Sequence, residues 1–428
     1  MNQKSKFKQT EIGMIPEEWE EKRLGDCLKL IRKLFSPSKD DVCPYIGLEH
    51  IEQQTLRLMG FGSSNDVESN KFEFKAGQIL FGKLRPYFRK LIRPKFNGVC
   101  STDIWVIDTK GENDNAFFFY FLAGQRIINE ANNSSEGTRM PRARWDYLEQ
   151  LKLPIPPLAE QRAIAKILSD LDAKIELNQQ MNKTLEEIGR AIFKHWFVDF
   201  EFPDEEGKPY KSAGGEMVFN EELRKEIPKG WEVGRVADLV SIKTGFAFKS
   251  SSFDDSGIYG LVTIKNVMDG FFVAKCTDRI SIVPSEMPEY CLLKSGDIIM
   301  SLTGNVGRVC FVYGNNYLLN QRVAKLSPNN SNNNAFIYFL FRQPTLKDNL
   351  INISKGTAQQ NLSPIEAKEL NLIIPPSSIL DVFSSYMNPI FDFMIQNEIN
   401  CKTLSQIRDA LLPKLMSGKI RVPLEEKE

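Results

Sequence analysis

The chain has 428 residues, 42% of them hydrophobic and 26% charged, which is the profile of a soluble globular protein with room for two domains plus connecting elements. Two histidines, His50 and His195, give almost no material for a histidine-based metal site or a Ser-His-Asp triad, and the seven scattered cysteines (Cys27, Cys43, Cys100, Cys276, Cys291, Cys310, Cys401) form no CxxC pair, which argues against disulfides and zinc. Fifty-five basic residues balance 55 acidic ones, but the charge is sorted along the chain: Lys71 to Lys95 holds eight bases against one acid, and Asp199 to Glu226 holds nine acids against four bases. No apolar run approaches the roughly 18 residues of a membrane span. MNQKSKFKQTEIG lacks the apolar core of a secretory signal, so the expected location is the cytoplasm and no membrane partner is expected.

In chain order, IPEEWE at Ile15 opens a stretch of short strand-like runs, among them QILFGKL and GVCSTDIWVID, separated by Gly, Asn and Ser turn signals. This predicts an α/β domain over residues 1–157. Phe117 to Phe121 fit a core helix rather than a base-stacking platform. After Pro156-Pro157 a long helix is predicted over residues 158–200, with Ile164, Ile167, Leu171, Ile175, Asn178, Met181, Leu185, Ile188 and Ile192 in steps of three and four. At 1.5 Å per residue it would span roughly 60 Å, the length of a ruler between two separated places. An acidic linker over 201–225 leads to IPKGWE at Ile227 and a second α/β domain over 226–376, with DIIMSL and RVCFVY as strand-like runs. A second long helix over 377–417 follows Pro375-Pro376, then a tail over 418–428. Pro389 is expected to kink or delay that helix.

The second half repeats the first. Gly137-Thr138 matches Gly356-Thr357, and Leu151-Lys152-Leu153 with Ile155-Pro156-Pro157 matches Leu370-Asn371-Leu372 with Ile374-Pro375-Pro376. Lys75-Ala76-Gly77-Gln78-Ile79 matches Lys294-Ser295-Gly296-Asp297-Ile298, all at an offset of 219, while Ile15 and Ile227 match at 212. The units run from about Glu11 to Phe200 and from Glu226 to Val422. The second helix carries its stripe in the same phase, through Ile390, Met394, Asn397, Asn400, Leu404, Ile407 and Leu411. The two helices are therefore expected to form an antiparallel coiled coil related by a pseudo-twofold. Asn178 and Asn397 interrupt both stripes at the matching place, either fixing register inside the seam or lying at its edge.

Three catalytic look-alikes fail on their chemistry. Asn388-Pro389-Ile390-Phe391 lacks the second proline of an adenine-methyltransferase tetrad, and no glycine-rich cofactor motif accompanies it. Asp204 and Glu206-Gly207-Lys208 place two carboxylates too close in an acidic linker to form a metal-dependent nuclease site. Gly304-Asn305-Val306-Gly307 is no P-loop, and the GxxxxGK[ST] cradle is absent throughout.

PPLAEQRAIAKILSDLDAKIELNQQMNKTLEEIGRAIFKHWF from Pro156, TLSQIRDALLPKLMSGKI from Thr403 and GWEVGRVADLVSIKTGFAFKS from Gly230 resemble the specificity subunit of Type I restriction-modification systems. The resemblance covers nearly the whole chain and departs from the pattern at Ser377, where SSILDVF stands in place of LAEQRAI. It implies two target-recognition domains, each reading one half of a bipartite asymmetric double-stranded DNA site, with the helices setting the gap. It further implies docking of two methyltransferase subunits and of restriction subunits, in a system that modifies host DNA and defends against foreign DNA. S-adenosylmethionine, ATP and Mg are then expected on those partners, with no cofactor, metal or catalytic residue in this chain.

DNA binding needs cations for phosphates and planar donors for base edges. In the first unit the candidates are Lys83, Arg85, Arg89 and Lys90, then Arg139, Arg142 and Arg144. In the second they are Lys243, Thr244, Lys249, Thr303, Asn305, Arg308, Gln321, Arg322, Lys355, Gln359, Gln360 and Asn361. GTRMPRAR aligns with GTAQQNLS, so if this loop reads bases, the first unit favours guanine and the second adenine. A coiled-coil adaptor whose globular domains bind protein is the competing reading. It would have no need of basic, amide-rich loops at equivalent positions.

Overall fold

A computed structural model of the chain describes residues 6–38, 42–354 and 360–423, and it divides into two units, Met1–Lys174 with Leu404–Glu428, and Ile175–Thr403. The architecture is the expected mixture of sheets, short helices and two long helices, built twice.

In the first unit Ile79–Gly82, buried at every position, forms an inner strand of a four-stranded antiparallel sheet. Its neighbours are Leu91–Ile92 and Ile104–Thr109, and Leu28–Ile31 closes the far edge. A second sheet pairs Gly98–Cys100 in parallel with Pro44–Ile46 and antiparallel with Lys71–Phe74. Asn115–Ala123 (NAFFFYFLA) is apolar on nearly all sides and buried from Phe117 to Ala123, as a helix inside a core must be. Its N-cap Asp114 accepts from the Phe117 N–H.

The second unit repeats this plan. Ile298–Ser301 lies between Val309–Phe311 and Val323–Pro328, with Val240–Thr244 at the edge. Tyr317–Leu319 pairs in parallel with Tyr259–Val262. Asn334–Phe341 is the matching core helix.

The long helices span Leu158–Phe197 and Ser377–Met416, so both ends repeat at an offset of 219. Partners run in opposite senses along them. In the first unit Arg408 Nη1 donates to Asp172 Oδ1 at 2.7 Å. In the second, Ile175 lies beside Cys401, Asn182 beside Asn397 and Phe197 beside Phe383, an antiparallel order. The chain segment after the second helix returns to the first unit's core. Arg421 Nε donates to Glu160 Oε1 at 2.8 Å, and Glu160, 1% exposed, also accepts from Trp19 Nε1 at 2.8 Å.

Two helix expectations need correction, and one open alternative closes. The second helix is not delayed by Pro389: it is continuous from Ser377, with the Asn388 side chain tied to the Asn332 carbonyl and the Ala335 N–H. The buried face also drifts from the predicted stripe. Ile188 and Ile407 are 42% and 43% exposed, while their successors Gly189 and Arg408 are buried. A helix of 3.6 residues per turn rotates about 20° per heptad away from a strict seven-residue repeat. Finally, Asn178 and Asn397 are both buried, which removes the edge alternative, but they do not pair with each other. Asn397 Nδ2 donates to Asn182 Oδ1 at 2.9 Å, and Asn182 Nδ2 donates to the Met394 carbonyl and Glu398 Oε1. In an antiparallel pair, residues equivalent by repeat need not face one another.

Candidate nucleic-acid interface

The second unit brings four separate loops to one place through backbone hydrogen bonds. The Gln321 N–H donates to the Phe246 carbonyl, Leu302 N–H to the Arg322 carbonyl at 3.0 Å, Gly304 N–H to the Gln360 carbonyl at 3.3 Å and Leu362 N–H to the Leu302 carbonyl at 2.8 Å. Thr303 bridges Asn361. Thr303, Asn305, Arg308, Gln321, Arg322, Gln360 and Asn361 thereby converge, with Lys243 and Thr244 on the adjoining strand. Tyr290 braces that strand end: its hydroxyl donates to the Thr244 carbonyl at 2.9 Å, and Lys243 Nζ lies 5.3 Å from its ring centre. The side chains of Gln321 and Arg322 are exposed and have no partner among the described residues. Arg308 Nη1 meets Met268 Sδ, and Thr303 Oγ1 is buried without a hydrogen bond. Lys249 is exposed on a separate turn before Ser250–Ser252. Lys355 and Gln359 lie outside the described residues.

The first unit makes three of these four hydrogen bonds, and the bridge, 219 residues earlier. Lys83 N–H donates to the Asp103 carbonyl at 3.0 Å, Arg85 N–H to Pro141 at 2.7 Å and Ala143 N–H to Lys83 at 2.9 Å, and Leu84 bridges Arg142. Arg85 sits at φ 51° where the second unit has Gly304 at φ 72°. A non-glycine residue in that left-handed region costs roughly 1–2 kcal/mol, so an arginine is kept there against its backbone preference. Lys83, Arg142, Arg32, Trp105 and Trp145 line a hollow of about 370 Å³.

The arginines of the loop Glu136–Arg144 differ in what holds them. Arg139 is exposed, with no partner for its guanidinium among the described residues. Arg142 grips Asp103 with Nε and Nη2 at 2.8 and 3.2 Å. Arg144 is held on both sides, by Glu136 at 2.6 Å and by Asp146. These carboxylates raise the pKa values of Arg142 and Arg144 above the ordinary guanidinium value, through hydrogen bonds first and charge second.

Residues 16–187 and 228–407 match the Type I restriction modification DNA specificity domain, once in each repeat. The chain belongs to that family of specificity subunits. It is 29% identical to the Type I restriction enzyme MjaIX specificity subunit of Methanocaldococcus jannaschii, covering 98% of this chain and 97% of that one. It is 27% identical to the HindI specificity subunit of Haemophilus influenzae, covering 94% and 100%. The crystal structure of the Type I restriction-modification system S subunit from M. genitalium shares the fold at a TM-score of 0.55 and 17% identity, over 96% of this chain and 98% of that one.

Within this specificity subunit two sequence candidates turn inward. Arg89 Nε donates to the Ala123 carbonyl at 2.7 Å, at the end of the core helix, and burial lowers its pKa. Lys90 Nζ donates to the Leu48 carbonyl at 2.5 Å, its pKa likewise lowered by burial. Asp103 was missed. The signal for it lay in the repeat, since 219 residues on from this acid stands the candidate Arg322. The look-alikes have structural work: Asp204 Oδ1 accepts from the Glu206 and Lys208 N–H groups, closing a turn. No helix among the described residues is long and apolar enough to cross a membrane.

Proposed function

We propose that this specificity subunit reads a bipartite, asymmetric double-stranded DNA site in the cytoplasm, one half with each unit's loop cluster, and carries out no chemistry itself. Two methyltransferase subunits and the restriction subunits dock on it and supply the S-adenosylmethionine-, ATP- and Mg-dependent steps. The observation that supports this reading is a loop scaffold made twice, with three equivalent backbone hydrogen bonds and one equivalent bridge but different side chains. Arg142 and Asp103 stand where the second unit has Asn361 and Arg322. A constant frame with variable donors suits two unlike half-sites.

Co-expression with the cognate methyltransferase subunit, followed by long-read mapping of methylated adenines in the host genome, tests it. The expected result is a two-part motif with unlike halves and a fixed gap, lost when the chain is deleted. A stable complex that methylates no motif would sink the DNA reading and leave a protein-binding adaptor.

Phosphate contact has its own signature. Arg139→Ala and Arg322→Ala each remove a guanidinium without a protein partner. Each is expected to weaken cognate and unrelated DNA about equally and to lower the slope of log affinity against log salt by about 1. Titrations at several salt concentrations measure this, and an unchanged slope removes these residues from the phosphate contacts.

A further inference from the structure

We propose that Arg142, oriented by Asp103, is the guanine reader of the first unit, and that Asp103 is its positioning residue. The proposal rests on the DNA-reading function above and assigns one base pair within it.

The geometry divides the guanidinium into two edges. Asp103 takes the side edge, with Nε donating to Oδ1 at 2.8 Å and Nη2 to Oδ2 at 3.2 Å. The end edge, Nη1 with the second Nη2 proton, has no partner among the described residues. That edge is a two-donor fork matching the O6 and N7 acceptors of guanine in the major groove. A flexible arginine must be ordered before it can discriminate between bases, and here the ordering is already in place. The Arg142 backbone exchanges hydrogen bonds with Glu136 at 3.0 and 3.1 Å, and the Asp103 carbonyl accepts from Lys83. The pair is nonetheless open to a ligand, with side-chain exposures of 43% for Arg142 and 26% for Asp103.

The neighbouring arginines lack this arrangement. Arg144 has carboxylates on both sides and no free fork. Arg139 has no carboxylate to orient it, and Arg85 spends an Nη2 proton on the Arg139 carbonyl at 3.2 Å. In the second unit the equivalent positions are Asn361 and Arg322, so this acid–arginine pair has no counterpart there, and a guanine read in this way is expected in the first unit's half-site.

The test uses the full chain with its methyltransferase partner and compares wild type, Arg142→Lys and Asp103→Ala by methylation mapping. Arg142→Lys keeps the charge and removes the fork. Discrimination at one G·C pair of one half-site, about 5- to 150-fold for a single base pair, is expected to fall to within about threefold. Asp103→Ala is expected to relax the same position partially and Asp103→Glu to restore part of it, with the other half-site read as in wild type. A wild-type motif that both variants keep unchanged would overturn this proposal alone. Loss of methylation at every site would make the pair a support of the fold and overturn it equally. A wild-type chain that yields no motif would overturn the DNA reading, and this assignment with it.

Discussion

Gly189→Leu is expected to destabilise the second unit by about 2–3 kcal/mol, the cost of forcing volume into a packed core. At an exposed helical position, exchanging glycine for a residue of higher helix propensity gains up to about 1 kcal/mol. The sign reverses here because the helix surface at Gly189 is occupied. A Cβ at this position would lie 2.1, 2.5 and 2.8 Å from Cζ, Cε1 and Cε2 of Phe339, so the tip of that ring sits where a side chain would start. Phe339 is 0% exposed and cannot swing into solvent. The glycine therefore serves close approach between the first long helix and the core helix Asn334–Phe341, not flexibility. Urea unfolding of the purified chain, followed by circular dichroism and tryptophan fluorescence, measures the loss. Phe339→Ala alone should cost about 3–5 kcal/mol. The double variant Gly189→Leu/Phe339→Ala should cost less than the sum of the two by about 1–3 kcal/mol, because leucine occupies the space that the ring vacates. Additivity within about 0.5 kcal/mol would show that the two residues do not share that space.

Gly189 also marks the limit of what the amino-acid pattern alone conveys. The two helices were legible because their signals are local: Pro-Pro before each, apolar residues in steps of three and four, and a 219-residue repeat that places the ends of one at the ends of the other. The buried face depends on partners far away in sequence. Ile188 looks like the core residue and Gly189 like a weak point, yet the packing of Phe339 inverts them. The same holds at the loops. Turn-forming Gly and Asn with nearby cations located both clusters, since turn chemistry is local. Whether a cation in such a run faces outward depends on which carbonyls await it. Arg89 meets the carbonyl of Ala123 at a helix end, and Lys90 meets that of Leu48, which also accepts from the Ile51 N–H, and neither is revealed by any sequence window. Asp103 is an unremarkable acid until the repeat sets it against Arg322 and the fold sets it against Arg142.

Arg408→Met is expected to destabilise the first unit by about 2 kcal/mol, below the roughly 3–5 kcal/mol for breaking a fully buried ion pair, because the Asp172 side chain is 28% exposed. Arg408 is 4% exposed and donates Nη1 to Asp172 Oδ1 at 2.7 Å, while Asp172 Oδ2 accepts from the Tyr120 hydroxyl at 2.6 Å. Methionine keeps much of the volume, so the loss measures the unpaired Asp172 carboxylate, together with the lost contacts of Arg408 to Asp409 and the Thr55 carbonyl, and not a cavity. The second unit shows what the same place looks like without charge. The counterparts of Tyr120, Asp172 and Arg408, each at the 219-residue offset, are Phe339, Phe391 and Gly189. Replacing all three members at once, as Tyr120→Phe/Asp172→Leu/Arg408→Met, is therefore expected to cost less than Arg408→Met alone, because well-packed apolar residues replace a buried pair at little net cost. Chemical denaturation of the single and triple variants decides between the alternatives. Recovery toward wild-type stability means that the charges contribute little net stability and act by discriminating between the two equivalent helix surfaces: Tyr120 finds its partners only beside Asp172 and Arg408, and Phe339 fits only against a glycine. A triple variant weaker than the single one would instead make the pair a net source of stability.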